Sequence, residues 1–132
     1  MTTNPYIREK QASAYEAKLY MGSKEGYDGE EFTEDEIRIV IQEFQKSQEI
    51  IPVRISKTCF MAGDYYEHGW EIVAINYPRY PKTHEYIWSF MHSLAKHMLI
   101  NFKQNRVTLQ DHKTSLMVED INRAEPKQNP NM

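Results

Sequence analysis

Asn76-Tyr77-Pro78-Arg79-Tyr80-Pro81 places an amide, a guanidinium and two phenol rings on a segment that two prolines stiffen. A ring of that kind can stack on a base, and an arginine offers a planar fork of donors to a phosphate or a ribose. Gln104-Asn105-Arg106 adds another amide and another arginine, and Arg54 adds a third arginine. Farther upstream, Gly22, Gly26 and Gly29 lie between a strand and a helix, where bare amides can face an anion. Lys24 is the only cation there, and Glu25, Asp28, Glu30 and Glu31 oppose a phosphate. The candidate ligand-binding residues are therefore Arg54, Asn76, Arg79, Tyr80, Asn105, Arg106 and, more weakly, Lys24. The plainer reading is that Tyr77 and Tyr80 cover a sheet edge while Arg79 is solvated, and the residues alone leave the two readings level.

Other chemistries find less support. His92 and His97 are five apart, so they lie on different faces of a helix, outside the His-Glu-x-x-His spacing that aims two imidazoles at one zinc ion. The acidic run from Asp28 to Glu36 lacks calcium-loop spacing and suits the solvated first turn of a helix. No metal site is expected. Cys59 has no histidine or basic residue directly beside it, and reads as a small, half-buried side chain. A Gly-x-Ser-x-Gly elbow, a Walker loop and a dinucleotide fingerprint are all missing, so neither a catalytic constellation nor a cofactor is expected.

The 132 residues suit one domain, and 40% hydrophobic with 12% aromatic residues can bury a core. Sixteen Lys and Arg against nineteen Asp and Glu leave a charge of −3, the wrong balance for a duplex nucleic-acid partner. One cysteine closes no internal disulfide, and Met1-Thr2-Thr3-Asn4-Pro5 lacks the runs of a signal peptide, so a cytoplasmic protein is expected. The longest apolar candidate, around Ile87 to Phe102, carries His92, Lys96 and His97 and predicts no membrane span.

These residues need a scaffold. Tyr15, Ala17, Leu19 and Met21 alternate with Glu16 and Lys18 and predict a first strand. Thr33 followed by Glu36 forms a capping box, and Ile37, Val40, Ile41 and Phe44 give a first helix ending near Gln48. Ile51, Val53 and Ile55 predict a second strand that starts at, or is placed at an edge by, Pro52. Gly63 to Gly69 reads as the connection into a third strand over Trp70 to Tyr77, apolar on both faces and hence central. Thr83 caps a second helix with the stripe Ile87, Phe90, Met91, Leu94, Met98 and Phe102, closed at Asn105. Arg106 to Gln110 and Thr114 to Val118 complete the sheet, folded into a hairpin through Asp111 to Lys113. The order predicts an α+β, ferredoxin-like split βαβ sandwich, an antiparallel sheet with two helices on one face. Its first and third strands should be central and its second and fourth at the edges. Residues 15–120 form the domain, and 1–14 and 121–132 read as flexible tails. Arg54 and Arg106 should then lie on opposite edge strands of the helix-free face, roughly 10 to 15 Å apart. They grip one small ligand only if subunits meet there, which predicts a dimer or larger homo-oligomer.

The segments Tyr20-Met21-Gly22-Ser23-Lys24-Glu25-Gly26-Tyr27, Ile75-Asn76-Tyr77-Pro78-Arg79-Tyr80-Pro81 and Asn105-Arg106-Val107, in this order, resemble a family of small phage proteins, the Thoeris anti-defence sponges. The resemblance covers roughly residues 15–120. It implies a non-catalytic oligomer, in a host cell's cytoplasm, that sequesters an intact cyclic ADP-ribose signal and in some members a cyclic oligonucleotide. It places a stacking aromatic on Tyr80, where many members carry phenylalanine, and basic contacts on Arg106 and Arg54. Two other readings stand beside it: a ferredoxin-like enzyme acting on a nucleotide, with Cys59 or a histidine reactive, and a phage protein that blocks a host protein by contact.

Overall fold

A computed structural model describes residues 4–26, 29–48 and 50–125. Tyr27 and Asp28, the first three residues of the expected N-terminal tail and 126–132 of the C-terminal one lie outside the described residues. The elements run β1 (Glu16–Gly22), α1 (Glu34–Lys46), β2 (Val53–Ala62), β3 (Tyr65–Ile75), α2 (His84–Asn101), β4 (Arg106–Gln110), β5 (Ser115–Glu119) and α3 (Ile121–Ala124). The five strands form one antiparallel sheet in the order β2-β3-β1-β4-β5. This is the expected ferredoxin-like α+β arrangement with one strand added.

Period-two alternation decides which way each strand faces. Ala17, Leu19 and Met21 of β1, Ile72 and Ala74 of β3, and Val107 and Leu109 of β4 are buried in one core with Ile37, Ile41 and Phe44 of α1 and the whole predicted α2 stripe. Thr33 accepts from the Glu36 amide while Glu36 reaches back to the Thr33 amide, the reciprocal cap that the sequence predicts.

Three details differ. β5 pairs along the outer side of β4, so β4 is interior and β5 takes the edge. The β2–β3 connection is only Gly63-Asp64, because Ala62 pairs with Tyr65 and Gly63 adopts φ +61°. Tyr65 to Gly69 therefore extend β3 instead of forming a loop. The second helix stops before Asn105: Lys103 takes φ 49°, and the amides of Gln104 and Lys103 bond back to Leu99 and Ile100. Within the segment expected as a tail, Ile121 to Ala124 form a helical turn capped by Asp120.

Candidate active-site cleft

Residues of opposite parity to the core face the helix-free side. Tyr20 of β1 lies opposite Glu71 of β3 and Thr108 of β4, so a phenol, a carboxylate and a hydroxyl cross the middle of the sheet. A cleft of about 660 Å³ lies over them, and Phe60, Glu67, Gln104, Asn105 and Arg106 also line it.

Gln104 fixes one end. Nearly buried, it donates to the carbonyls of Lys24 (2.8 Å) and Phe102 (3.0 Å) and accepts from the Gly22 amide (3.0 Å). This ties the turn after α2 to the end of β1, and it requires the helix to stop at Asn101. The Phe60 ring meets Tyr20 edge to face at 5.5 Å. Burial, and then the negative charge of Glu71, raise the Tyr20 pKa above its ordinary value, so the phenol keeps its proton. Glu67 accepts from the Tyr65 hydroxyl at 2.9 Å, and Arg106 pairs with Glu119 at 3.3 Å across β4 and β5. The cleft lining thus carries two carboxylates against one guanidinium.

A second cluster occupies the opposite end of β1. Tyr15 is buried under His84, stacked at 4.5 Å, and donates to Asp111 at 2.8 Å. Burial, followed by the Asp111 bond and charge, drives the Tyr15 pKa well above its ordinary value. Ser13 bonds His84 at 2.7 Å. Asn76 donates to the Ser13 carbonyl (2.8 Å) and accepts from the Lys82 amide (3.0 Å).

Of the residues picked from sequence, Asn105 and Arg106 line the cleft. Lys24 lies beside it and contributes its carbonyl to Gln104. Asn76 is buried and engaged in holding the chain, while Arg79 stacks on the exposed Tyr80 ring at 5.3 Å, at the far end of the sheet. Arg54 forms a 3.8 Å pair with Glu16. The register Arg54–Val73–Lys18–Gln110 puts Arg54 three strands and four residues from Arg106, roughly 20 Å, more than the sequence suggested. Cys59 is exposed, not half-buried, and lines the cleft. Tyr20, Glu67 and Glu71 are not among the residues the sequence points to as ligand contacts, and Gln104 enters there only as a neighbour of Asn105 and Arg106. Glu71 carried a signal, as the one charge in the run Trp70 to Ile75. Among the described residues no group of three or more His, Cys, Asp or Glu is placed to hold a metal ion, and no helix is long and apolar enough to cross a membrane.

No known protein family and no curated protein matches the chain. Two solved structures share the fold. A phage SAM lyase in complex with S-methyl-5'-thioadenosine superposes with a TM-score of 0.66 at 15% identity, covering 87% of this chain and 96% of its own. A phage SAM lyase in its apo state gives 0.61 at 17% identity, covering 86% and 96%. The expectation of a non-enzyme is corrected by these neighbours, which are structures of an enzyme.

Proposed function

We propose that this chain is an enzyme that cleaves a sulfonium nucleoside of the S-adenosylmethionine type, releasing S-methyl-5'-thioadenosine without adding water. The observation that carries the reading is the charge of the cleft: Glu67 and Glu71 against Arg106, with Tyr20 and Phe60 beside them, on a fold shared with a lyase that holds that thioether. Two carboxylates give the cleft a negative field that suits a cationic ligand, and one of them can pair with its ammonium. They oppose the pyrophosphate of a cyclic ADP-ribose.

In the reaction the bond from sulfur to the four-carbon arm breaks and both electrons stay on sulfur, which becomes a neutral thioether. The arm balances the change in one of two ways. Its own carboxylate closes on the carbon that sulfur leaves, with no proton released, or a neighbouring carbon passes a proton to water as a double bond forms. Either way positive charge on sulfur disappears at the transition state. A carboxylate against sulfur would favour the bound substrate over the transition state, and so slow the step. The reading therefore places the rings of Tyr20 and Phe60 near sulfur and gives Glu71 the ammonium. The Arg106 fork matches the substrate carboxylate once it leaves Glu119.

Self-assembly belongs to the same reading. Phe60 and Met117 are exposed on the sheet face that carries the cleft, and a second copy laid there would exclude water from it. Incubation with S-adenosylmethionine and chromatography of the products tests the reaction. The expected product is S-methyl-5'-thioadenosine, formed faster than in a protein-free control, while S-adenosylhomocysteine, whose uncharged sulfur would have to leave as a thiolate, should remain intact with no 5'-thioadenosine released. Loss of S-adenosylmethionine no faster with folded protein than without it overturns the reading. Light scattering with and without substrate tests assembly, and a monomer at full activity removes that part.

A further inference from the structure

Resting on the cleavage reading, we infer that Glu67 recognises the ribose hydroxyls of the nucleoside and so separates ribosides from deoxyribosides. Gly22 and Gly69 face each other across β1 and β3 on the helix-free side. A Cβ on Gly22 would stand 3.0 Å from Glu67 Oε1 and 2.9 Å from Gln104 Oε1, so two acceptor oxygens converge over backbone with no side chain of its own. A Cβ on Gly69 would meet the Met21 carbonyl at 2.5 Å, so the close approach of the strands beneath them also depends on glycine.

The two oxygens differ in what they have left to accept. Gln104 is immobilised by three hydrogen bonds, and its Oε1 already takes the Gly22 amide. Glu67 Oε2 takes the Tyr65 hydroxyl, which orients the carboxylate, while among the described residues no donor reaches Oε1. A carboxylate oxygen with no donor beside an amide oxygen that accepts one amide and has a lone pair left suits a ligand group that offers two donors close together. A vicinal diol does this, and a carboxylate is the usual partner of a ribose hydroxyl.

Distance selects the ribose over the adenine amine. Glu67 and Glu71 are four residues apart along β3, about 13 Å. With the ammonium at Glu71, eight bonds lead back to the ribose 3'-hydroxyl, roughly 10 Å of extended chain before the hydrogen bonds at each end. The adenine amine lies several bonds farther on.

The test is calorimetry with S-methyl-5'-thioadenosine and its 2'-deoxy and 3'-deoxy analogues. Wild type should bind the parent about 10-fold to 100-fold more tightly than either analogue, as expected for a hydrogen bond to a charged acceptor. Glu67→Gln should bind all three within about 3-fold of one another. Gly22→Ala, which displaces both oxygens, should behave likewise. If the parent binds but Glu67→Gln keeps the wild-type discrimination, the Glu67 inference is wrong and the cleavage reading stands. Parent that does not bind folded wild type at all, together with no turnover of S-adenosylmethionine, overturns both.

Discussion

The two ends of β1 carry similar residues and use them in opposite ways. At the Tyr15 end a phenol, a histidine, an aspartate and an asparagine all have partners: Tyr15 bonds Asp111, His84 bonds Ser13, and Asn76 bonds the main chain at Ser13 and Lys82. Both ends border a cavity, of about 760 Å³ at the Tyr15 end and about 660 Å³ at the Gly22 end, but at the Gly22 end Tyr20, Glu67, Glu71 and Arg106 line it and Glu67 retains an oxygen with no donor among the described residues. A polar cluster whose members satisfy one another holds the chain together. One that lines an open cleft and keeps an accepting oxygen can exchange water for a ligand's donors. Residue type does not distinguish the two ends; the accounting of partners does.

The largest expected effect is at the open end. Glu71→Gln keeps the shape and removes the charge assigned to the substrate ammonium, so kcat/KM for S-adenosylmethionine cleavage should fall about 10-fold to 100-fold, as for a lost hydrogen bond to a charged group. Because Glu71 is the second cause of the raised Tyr20 pKa, after burial, the same change should lower the Tyr20 titration midpoint toward its ordinary value. Unchanged kinetics with a shifted Tyr20 would show that Glu71 faces the phenol and not the substrate.

At the satisfied end the effect should appear in stability. Asn76→Ala leaves the Ser13 carbonyl and the Lys82 amide without their partner, which should cost about 2 to 3 kcal/mol in denaturant unfolding. Tyr80→Ala, at an exposed ring, should stay within about 0.5 kcal/mol of wild type and leave nucleoside affinity unchanged. Weaker binding of S-methyl-5'-thioadenosine by a folded Tyr80→Ala protein would restore the stacking role read from the sequence and undo the division between the ends.

That division explains what could be read from sequence. Strand parity, the Thr33 and Thr83 caps and the α2 stripe are local, and they gave the layers, the central strands and the shared helix face. The edge position of β4 failed although its hairpin with 114–118 is legible in the sequence, because the short second arm, with only Leu116 and Val118 partly buried, reads as part of one last strand and not as a fifth strand that takes the edge. Asn76 and Arg79 attracted notice because prolines concentrate amide, charge and rings in one segment. Which of them is already engaged depends on Ser13, 63 residues away. The cleft residues are drawn from β1, β3 and β4, singly and at polar parity, so each taken alone reads as an ordinary solvated strand residue. Arg106 was found because it adjoins Asn105 in sequence as well as in space.

Arg106→Lys gives a smaller effect. Lysine retains the charge but not the fork, and losing one of two parallel hydrogen bonds to the substrate carboxylate should raise KM about 3-fold to 10-fold with little change in kcat. The pair with Glu119 is half-exposed, so unfolding free energy should change by less than about 1 kcal/mol. An equal fall in kcat and kcat/KM would instead mean that Arg106 acts only at the transition state.

The smallest effect is set by pH at the satisfied end. The Tyr15 pKa is raised from its ordinary 10.0 by burial and then by Asp111. Below that ordinary value both folded and unfolded chains keep the proton, and the stabilisation is complete. Above it the unfolded chain ionises while the folded one still holds the proton, so stability declines as pH rises past 10 toward the folded value. Asp111 contributes on the acid side: burial alone would raise its pKa, but the amides of Lys113 and Thr114 and the Tyr15 hydroxyl together bring it below its ordinary 3.8. Its contribution is present above that pH and is lost as pH falls through the lowered value. Tyr15→Phe removes the titrating proton and one of the donors to Asp111. It should lower stability by about 1 kcal/mol at neutral pH, flatten the alkaline decline and move the onset of acid unfolding upward. Cleavage at pH 7 should stay at the wild-type rate, since the Tyr15 hydroxyl is engaged at the opposite end of the sheet from the cleft. A Tyr15→Phe protein that is stable but inactive would join the two ends into one site.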